Sequence, residues 1–386
     1  MSKKTPVQTL TDDLQSGRLS RRNFVLQALG LGVSLSVVGS VLTACSGGEG
    51  EGAGDGPPTP GADPAADANT LEKELRIYIW SDYLAEDTVP NFEKEFGVKA
   101  TVDTYESNEE LIAKLQSGVS GYDLVCPSGY AITVLSALGL IEKLDASRIP
   151  NLGNIAATFR KTSFDPTDEL TVPWQWGTTG VAYRKDLLPA PPDSWAIFHD
   201  KAHAGKMTMM DDMRDVVGAW LRFRGHSLNS KDPAQLAQAK ADAVLAKANL
   251  QSFLSAPVKA QLISGDVRVA QLWNGDTAQA AAENDQIAFV LPKEGGSIWL
   301  DAMVMPKTAP NKKAAHAFLN YVLRPEVGAA ISNATGYGTP NEKAAPLLAR
   351  PVPFPTPEEM AKLEYIQDLG ADAQAWDQLW TEIKAG

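Results

Sequence analysis

From Leu71 onward, short apolar runs rich in β-formers alternate with segments of helical period, and this alternation restricts the fold more than any other feature. Leu75–Trp80 reads as a strand, Val89–Phe96 as a helix closed by Gly97, and Val98–Tyr105 as a second strand. Glu109–Leu115, Tyr122–Cys126 and Ile132–Leu140 continue as helix, strand and helix. A βαβαβα order implies a mostly parallel sheet covered by helices. The pattern restarts with a strand at Lys206–Met210, a helix at Asp215–Phe223 and an Ala-rich helix at Pro233–Asn249. Strands follow at Val267–Trp273, Gln286–Leu291 and Ile298–Met305, then a long helical stretch from Lys312 to Ser332 broken at Pro325. Helices over Pro357–Lys384 complete the expectation. With 386 residues the chain exceeds one ordinary core, and it shows no repeat of 20–50 residues. Two α/β lobes are expected.

The first 70 residues read differently. Lys3, Lys4, Arg18, Arg21 and Arg22 precede an apolar run from Phe24 to Leu42, the order of a secretory signal. Ser20-Arg21-Arg22-Asn23-Phe24-Val25-Leu26 resembles a twin-arginine export signal, and Leu42-Thr43-Ala44-Cys45 resembles a bacterial lipobox. Residues 1–44 are therefore expected to be removed and Cys45 to be lipidated; an uncleaved anchor is the alternative. Residues 46–70 carry no aromatic or large aliphatic side chain, so they cannot bury enough surface to offset the cost of ordering. Together with Cys45 they form a tether (45–70) that would hold the folded body roughly 25–30 Å from its anchor.

The composition excludes several classes of function. Lys plus Arg is 35 against 47 for Asp plus Glu, and a net charge of −12 disfavours a nucleic-acid binder. Two cysteines, Cys45 and Cys126, permit neither a disulfide framework nor a Cys-rich zinc module. Cys126 sits in Tyr122-Asp123-Leu124-Val125-Cys126 and reads as a buried structural thiol. His199 and His203 stand four apart but lack an evident third ligand, so an exposed helix face is the expectation, with no metal and no cofactor. Gly-x-Ser-x-Gly, His-Glu-x-x-His, Cys-x-x-Cys and Gly-x-x-x-x-Gly-Lys motifs are all missing.

In α/β sheets the ligand lies beyond the carboxyl ends of the strands. Those ends read Trp80-Ser81-Asp82-Tyr83, Ser128-Gly129-Tyr130, Asp211-Asp212-Met213-Arg214-Asp215 and Trp273-Asn274-Gly275-Asp276. Ile298-Trp299-Leu300-Asp301 falls where the last long strand is expected to begin, and Gly336-Tyr337-Gly338 follows the long helix. Aromatics and carboxylates recur together there, without a recurring basic residue. An elongated cation suits that combination, since carboxylates pair with ammonium groups while ring faces cover the methylenes. Each residue also has a purely structural reading: Asp82, Asp212, Asp215 and Asp276 as helix-start residues, and Trp80, Trp273 and Trp299 as core. Arg214 could neutralise either neighbouring aspartate.

Tyr78-Ile79-Trp80-Ser81-Asp82-Tyr83 and Trp273-Asn274-Gly275 resemble the spermidine/putrescine-binding proteins of bacterial polyamine ABC importers. Thr104–Glu109, Tyr122–Val125, Trp176–Gly180, Pro292–Gly296 and Phe318–Pro325 also match, so the resemblance spans nearly all of residues 71–386. It implies a type II periplasmic-binding-protein fold with the ligand cleft between two lobes, 71–178 with 300–345 and 179–299 with 346–386. The crossings would lie at Thr178–Gly180 and Trp299–Asp301, with a third near Ala345. Trp80, Ser81, Asp82, Tyr83, Ser128 and Tyr130 would contact the polyamine from the first lobe. Asp212, Asp215 and Asp301 would hold its nitrogens, and Trp273, Trp299 and Tyr337 would complete an aromatic box with Ser255 as a further polar contact. Asp276 resembles the putrescine-selective branch, whereas Trp299 and Asp212 resemble the spermidine branch. Near Glu364–Asp368, where the spermidine branch places an amide, this chain has Ile366 with Gln367 adjacent.

The implied action is capture by lobe closure and delivery to the membrane subunits of an ABC importer, by a monomer held to the membrane only through its lipid, in the periplasm or at the cell surface. No catalysis, cofactor, metal or nucleic acid enters. The rival readings are the same fold binding a sugar or another organic cation, an anion binder, an exported lipoprotein hydrolase using Asp212 and Asp215, and a surface scaffold without a small ligand.

Overall fold

The computed structural model describes residues 71–386, apart from 119–120, 256, 351, 353–354 and 386. The export and lipobox motifs, Cys45 and the tether lie outside the described residues.

The first half runs β1 (Glu74–Trp80), α1 (Thr88–Phe96), β2 (Lys99–Tyr105), α2 (Asn108–Gln116), β3 (Leu124–Val125), α3 (Gly129–Ala137) and β4 (Ile141–Glu142). After three 3-10 turns comes β5 (Thr171–Arg184), 14 residues and buried throughout. The second half runs β6 (Met207–Met209), α4 (Met213–Phe223), α5 (Pro233–Lys247), β7 (Leu250–Phe253), α6 (Val258–Ser264), β8 (Val269–Trp273), α7 (Asn274–Glu283) and β9 (Ile287–Val290). Then follow β10 (Gly296–Pro306), α8 (Lys312–Val322), α9 (Pro325–Thr335), α10 (Pro357–Met360), β11 (Leu363–Tyr365) and α11 (Ala373–Ala385).

Hydrogen bonding connects the strands as β2-β1-β3-β10-β5-β8-β6-β7. β1 pairs in parallel with β2 and β3, and β6 in parallel with β7 and β8, so each half builds the parallel unit expected of βαβ alternation. β5 joins the two halves. Its Thr171–Thr178 stretch lies antiparallel to β10, whereas Thr179–Arg184 pairs with β8 and β9.

The cores divide at the same point. Leu75, Ile77, Phe92, Trp174, Trp176, Met303 and Phe318 pack in one cluster, while Val181, Met207, Val216, Trp220 and Trp376 pack in another. One strand thus places its first half in one core and its second half in another, the arrangement of two lobes sharing a crossing strand. β10 contributes Leu300, Met303 and Met305 to the first core, and its opening residues Gly296–Ile298 carry β11 on their free edge.

Several expected elements differ. β5 is not among the strands read from the sequence. β3 keeps two residues because Pro127 cannot donate to a ladder and Asp123 uses both carboxylate oxygens on Arg76 N and Asn311. β10 begins two residues before its expected start, at Gly296, so Trp299 and Asp301 stand further inside the strand than expected. Within the C-terminal stretch read as helix, Leu363–Tyr365 is a strand. Glu364 takes hydrogen bonds from Arg222 Nη1 at 2.6 Å and Ser227 Oγ at 2.6 Å, and Asn229 Nδ2 donates to Tyr365 O at 2.9 Å. His199 and His203 lie on two short 3-10 turns, not an exposed helix face: His199 stacks on Trp220 at 4.5 Å and His203 is buried. Cys126 is buried, which pushes its thiol pKa up.

Candidate functional site

A cavity of ≈640 Å³ opens where the ends of β1, β8 and α4 meet the middle of β10. It falls within the size range of small-molecule sites. Thirteen of the fourteen candidate ligand-binding residues line it; Ser255 does not. Its hydroxyl accepts from Asp211 N at 3.2 Å behind the wall, steadying the loop that carries Asp212.

The aromatic walls come from both lobes. Trp80 at the end of β1 faces Trp273 at the end of β8, with ring centroids 6.2 Å apart. Trp299 and Tyr83 each meet Tyr337 edge-on, at 5.2 and 5.3 Å. Two glycines make this box possible. Gly177 pairs with Trp299 across β5 and β10, and a Cβ there would stand 2.5 Å from the indole. A Cβ on Gly275 would stand 2.3 Å from the Tyr337 ring. Trp80, Trp273 and Trp299 are half-buried, packed on the core from one side and open to the cavity on the other.

The carboxylates occupy the gaps between rings. Asp301, in β10 and 4% exposed, accepts from the Tyr83 hydroxyl at 3.0 Å through Oδ2, while its buried Oδ1 has no well-formed donor. Burial raises its pKa to about 7, and the nearby Tyr83 and Ser128 hydroxyls offset this only partly. Asp215, on the first turn of α4, accepts from Ser297 Oγ at 2.8 Å; burial, reinforced by Asp212, again lifts its pKa to about 7. Asp212 caps α4 by accepting from Asp215 N at 3.0 Å, so its structural reading holds, yet it also faces the cavity and is raised by burial. Asp276 is raised by burial and accepts from the Tyr337 hydroxyl at 2.8 Å. Asp82 is not at a helix start. It sits in the turn after β1 at φ 53°, a left-handed conformation that aspartate tolerates better than most residues. The indole Nε1 atoms of Trp80 and Trp299 are also buried without acceptors. Unsatisfied buried polar groups of this kind call for an explanation, and a bound partner is one.

Ser128 caps α3, its amide donating to Asn108 Oδ1 at 3.0 Å, and Tyr130 donates to Glu109 Oε1 at 3.1 Å. Glu109 was not read from the sequence as a site residue; burial and the charge of Asp212 raise its pKa. Basic residues do recur here, contrary to the reading of the strand ends. Arg214 lies over the Tyr130 ring at 5.4 Å, donates to Gln367 O at 2.8 Å and to Asn229 Oδ1 at 3.0 Å, and so ties α4 to the C-terminal segment. Lys259, from α6, reaches Asp82 at 2.6 Å. Arg160 and Lys161 line the mouth. Carboxylates still outnumber these cations by eight to four around the wall. Both Ile366 and Gln367 line the cavity, Gln367 having its backbone engaged by Arg214 and Asn229.

The cleft is walled by aromatic side chains and lined by more carboxylates than cations, several of those carboxylates buried. Residues 87–362 match the family model described as bacterial extracellular solute-binding protein.

The chain belongs to this family.

Among relatives of this extracellular solute-binding protein, the spermidine/putrescine-binding periplasmic protein of Escherichia coli strain K12 is 33% identical over 329 residues, covering 83% of this chain and 93% of the relative. A solved structure described as a spermidine/putrescine ABC transporter from Listeria monocytogenes superposes with a TM-score of 0.77 at 32% identity, covering 81% of this chain and 99% of that one. A lipoprotein of Treponema pallidum superposes with a TM-score of 0.74 at 32% identity over 80% of this chain and 99% of that one. The solute-binding fold of these relatives is the two-lobe, type II arrangement seen here, joined through the strands that frame the cavity.

Proposed function

We propose that this solute-binding protein captures a polyamine, spermidine or putrescine, in the inter-lobe cavity and delivers it to an ABC importer without chemical change. The observation that carries the reading is Asp301: a buried carboxylate whose Oδ1 has no hydrogen-bond partner, beside the Tyr83 ring, and which forms no ion pair among the described residues. Burying a charge is costly unless a counter-charge arrives. A ligand ammonium supplies it, worth roughly 4 kcal/mol at 4 Å and an effective dielectric of 20, before desolvation.

In this reading Asp301, Asp215 and Asp212 hold the ligand nitrogens. Trp80, Tyr83, Trp273, Trp299 and Tyr337 enclose the methylenes, and Ser81, Ser128 and Tyr130 border the path. The lobes are assigned as 71–178 with 300–345 and 179–299 with 346–386. A ligand touching both stabilises the closed form over the open one, and that difference is the signal read by the importer. Export through the twin-arginine-like signal, lipidation at Cys45 and a place outside the cytoplasm complete the proposal; the lipoprotein among its structural relatives supports the anchor. The relatives are binding proteins, which supports a role without catalysis or cofactor.

Tryptophan fluorescence and small-angle scattering test this together. Spermidine or putrescine should quench or shift the emission of Trp80, Trp273 and Trp299 and reduce the radius of gyration, while a neutral sugar does neither. A sugar that closes the lobes, or polyamines that leave both signals unchanged, would refute it.

A further inference from the structure

Lys259 is an ammonium already seated in the cavity wall. Its Nζ donates to Asp82 Oδ2 at 2.6 Å and to Gln279 Oε1 at 2.9 Å, and stands 3.9 Å from Asp276 Oδ1. The Gln279 amide is oriented for this, because its Nε2 donates to Thr335 O at 2.8 Å and leaves Oε1 to face the lysine. Asp276 is in turn fixed by the Tyr337 hydroxyl. Although Lys259 lies on the surface helix α6, its side chain is only 15% exposed, having folded inward between β1's turn and α7. Asp82 belongs to the turn after β1 and Lys259 to the second lobe, so the pair also bridges the cleft.

We infer that Lys259 is a resident counter-ion that fills the Asp82–Asp276 end of the cavity and so sets the length and charge of the ligand the site accepts. A primary ammonium is the same chemical group as the end of a polyamine. With Lys259 in place, three of the oxygens that could hold a terminal nitrogen are engaged, and the ligand's cationic centres are confined to the region of Asp301, Asp215 and Asp212. A longer polyamine must displace the lysine to use this end; a shorter one does not. The consequence for ligand choice rests on the polyamine reading, but occupancy of the subsite by Lys259 does not.

The experiment uses the full chain and its Lys259→Met variant, with Lys259→Gln as a second substitution should the first fold poorly. Thermal unfolding is followed with propylammonium chloride and, at equal ionic strength, with sodium chloride. A vacated subsite should accept the probe: propylammonium should raise the midpoint of the variant by several degrees more than sodium chloride does, and leave the parent indifferent. Calorimetric titration with putrescine, spermidine and spermine then reads the consequence, a shift of tenfold or more in favour of spermine over putrescine. An equal response of variant and parent to propylammonium would overturn the inference. Absence of binding of all three amines to the parent would sink the polyamine reading instead, with the propylammonium result still deciding the role of Lys259.

Discussion

Asp301→Asn should have opposite effects on stability and on binding. The substitution keeps shape and keeps an acceptor for the Tyr83 hydroxyl, which donates to Oδ2 at 3.0 Å. It removes a charge that burial disfavours enough to raise the pKa to about 7 from the usual 3.8. Because the folded chain holds this proton more tightly than the unfolded chain, stability falls as pH rises from about 4 to about 7, and the whole penalty is present at pH 8. That gap corresponds to about 4 kcal/mol as an upper bound, at about 1.4 kcal/mol per pH unit. Allowing for relaxation and for the imperfect fit of an amide, the ligand-free variant should be more stable than the parent at pH 8 by about 1–3 kcal/mol, a rise of a few degrees in the unfolding midpoint. The difference should shrink towards pH 5, where the folded parent is itself protonated. Spermidine affinity should move the other way. Loss of one member of a buried charge pair costs about 2–5 kcal/mol, or roughly 30-fold to several thousandfold in Kd. Thermal unfolding by circular dichroism at pH 8 and pH 5, with calorimetric titration of spermidine at pH 8, reads both effects. A variant less stable than its parent at pH 8 would make Asp301 a structural strut, and an unchanged spermidine affinity would remove it from the site.

Three further outcomes follow from the same geometry. Asp301 and Asp215 both have pKa values raised to about 7, and an ammonium binds their ionised forms, so lowering the pH from 8 to 6 should weaken polyamine binding about tenfold per carboxylate; calorimetry across this range would show it, and a flat profile would contradict it. Gly177→Ala places a methyl 2.5 Å from both the Trp299 ring and Asn274 Oδ1, so spermidine Kd should rise at least tenfold, with a tryptophan emission shift in the free protein. Trp80→Ala removes one face of the box and should cost about 1–2 kcal/mol of polyamine affinity by fluorescence titration, with some loss of stability as well because the ring also packs 4.6 Å from Tyr105.

Much of the fold was legible because it follows from local pattern. β1, α1, β2 and α2 lie within a residue or two of their expected spans, since period-two and period-3.6 signals there are bounded by Gly97 and capped by Ser107. β5 was not, although it joins the lobes. Its 14 residues are buried on every side, so they show no alternation, and Gly177 and Gly180 are there to admit Trp299 and Phe289 rather than to mark turns. The site divides similarly. Trp80, Trp273 and Asp212 stand at strand or helix ends, where a sequence pattern exposes them. Lys259 could not be read in advance: it meets Asp82, 177 positions away, only because α6 and the β1 turn converge on one cavity. Arg214 was read as a neighbour's counter-ion, whereas its guanidinium is drawn off to Gln367 and Asn229, partners that only the folded C-terminal segment supplies.

Whether the cavity holds a polyamine is decided by calorimetric titration of the full chain with spermidine and with putrescine at pH 8. One site per chain is expected for at least one of the two amines, with saturation lost in Asp301→Asn. No heat with either amine up to millimolar concentration, or equal binding by parent and variant, would contradict it.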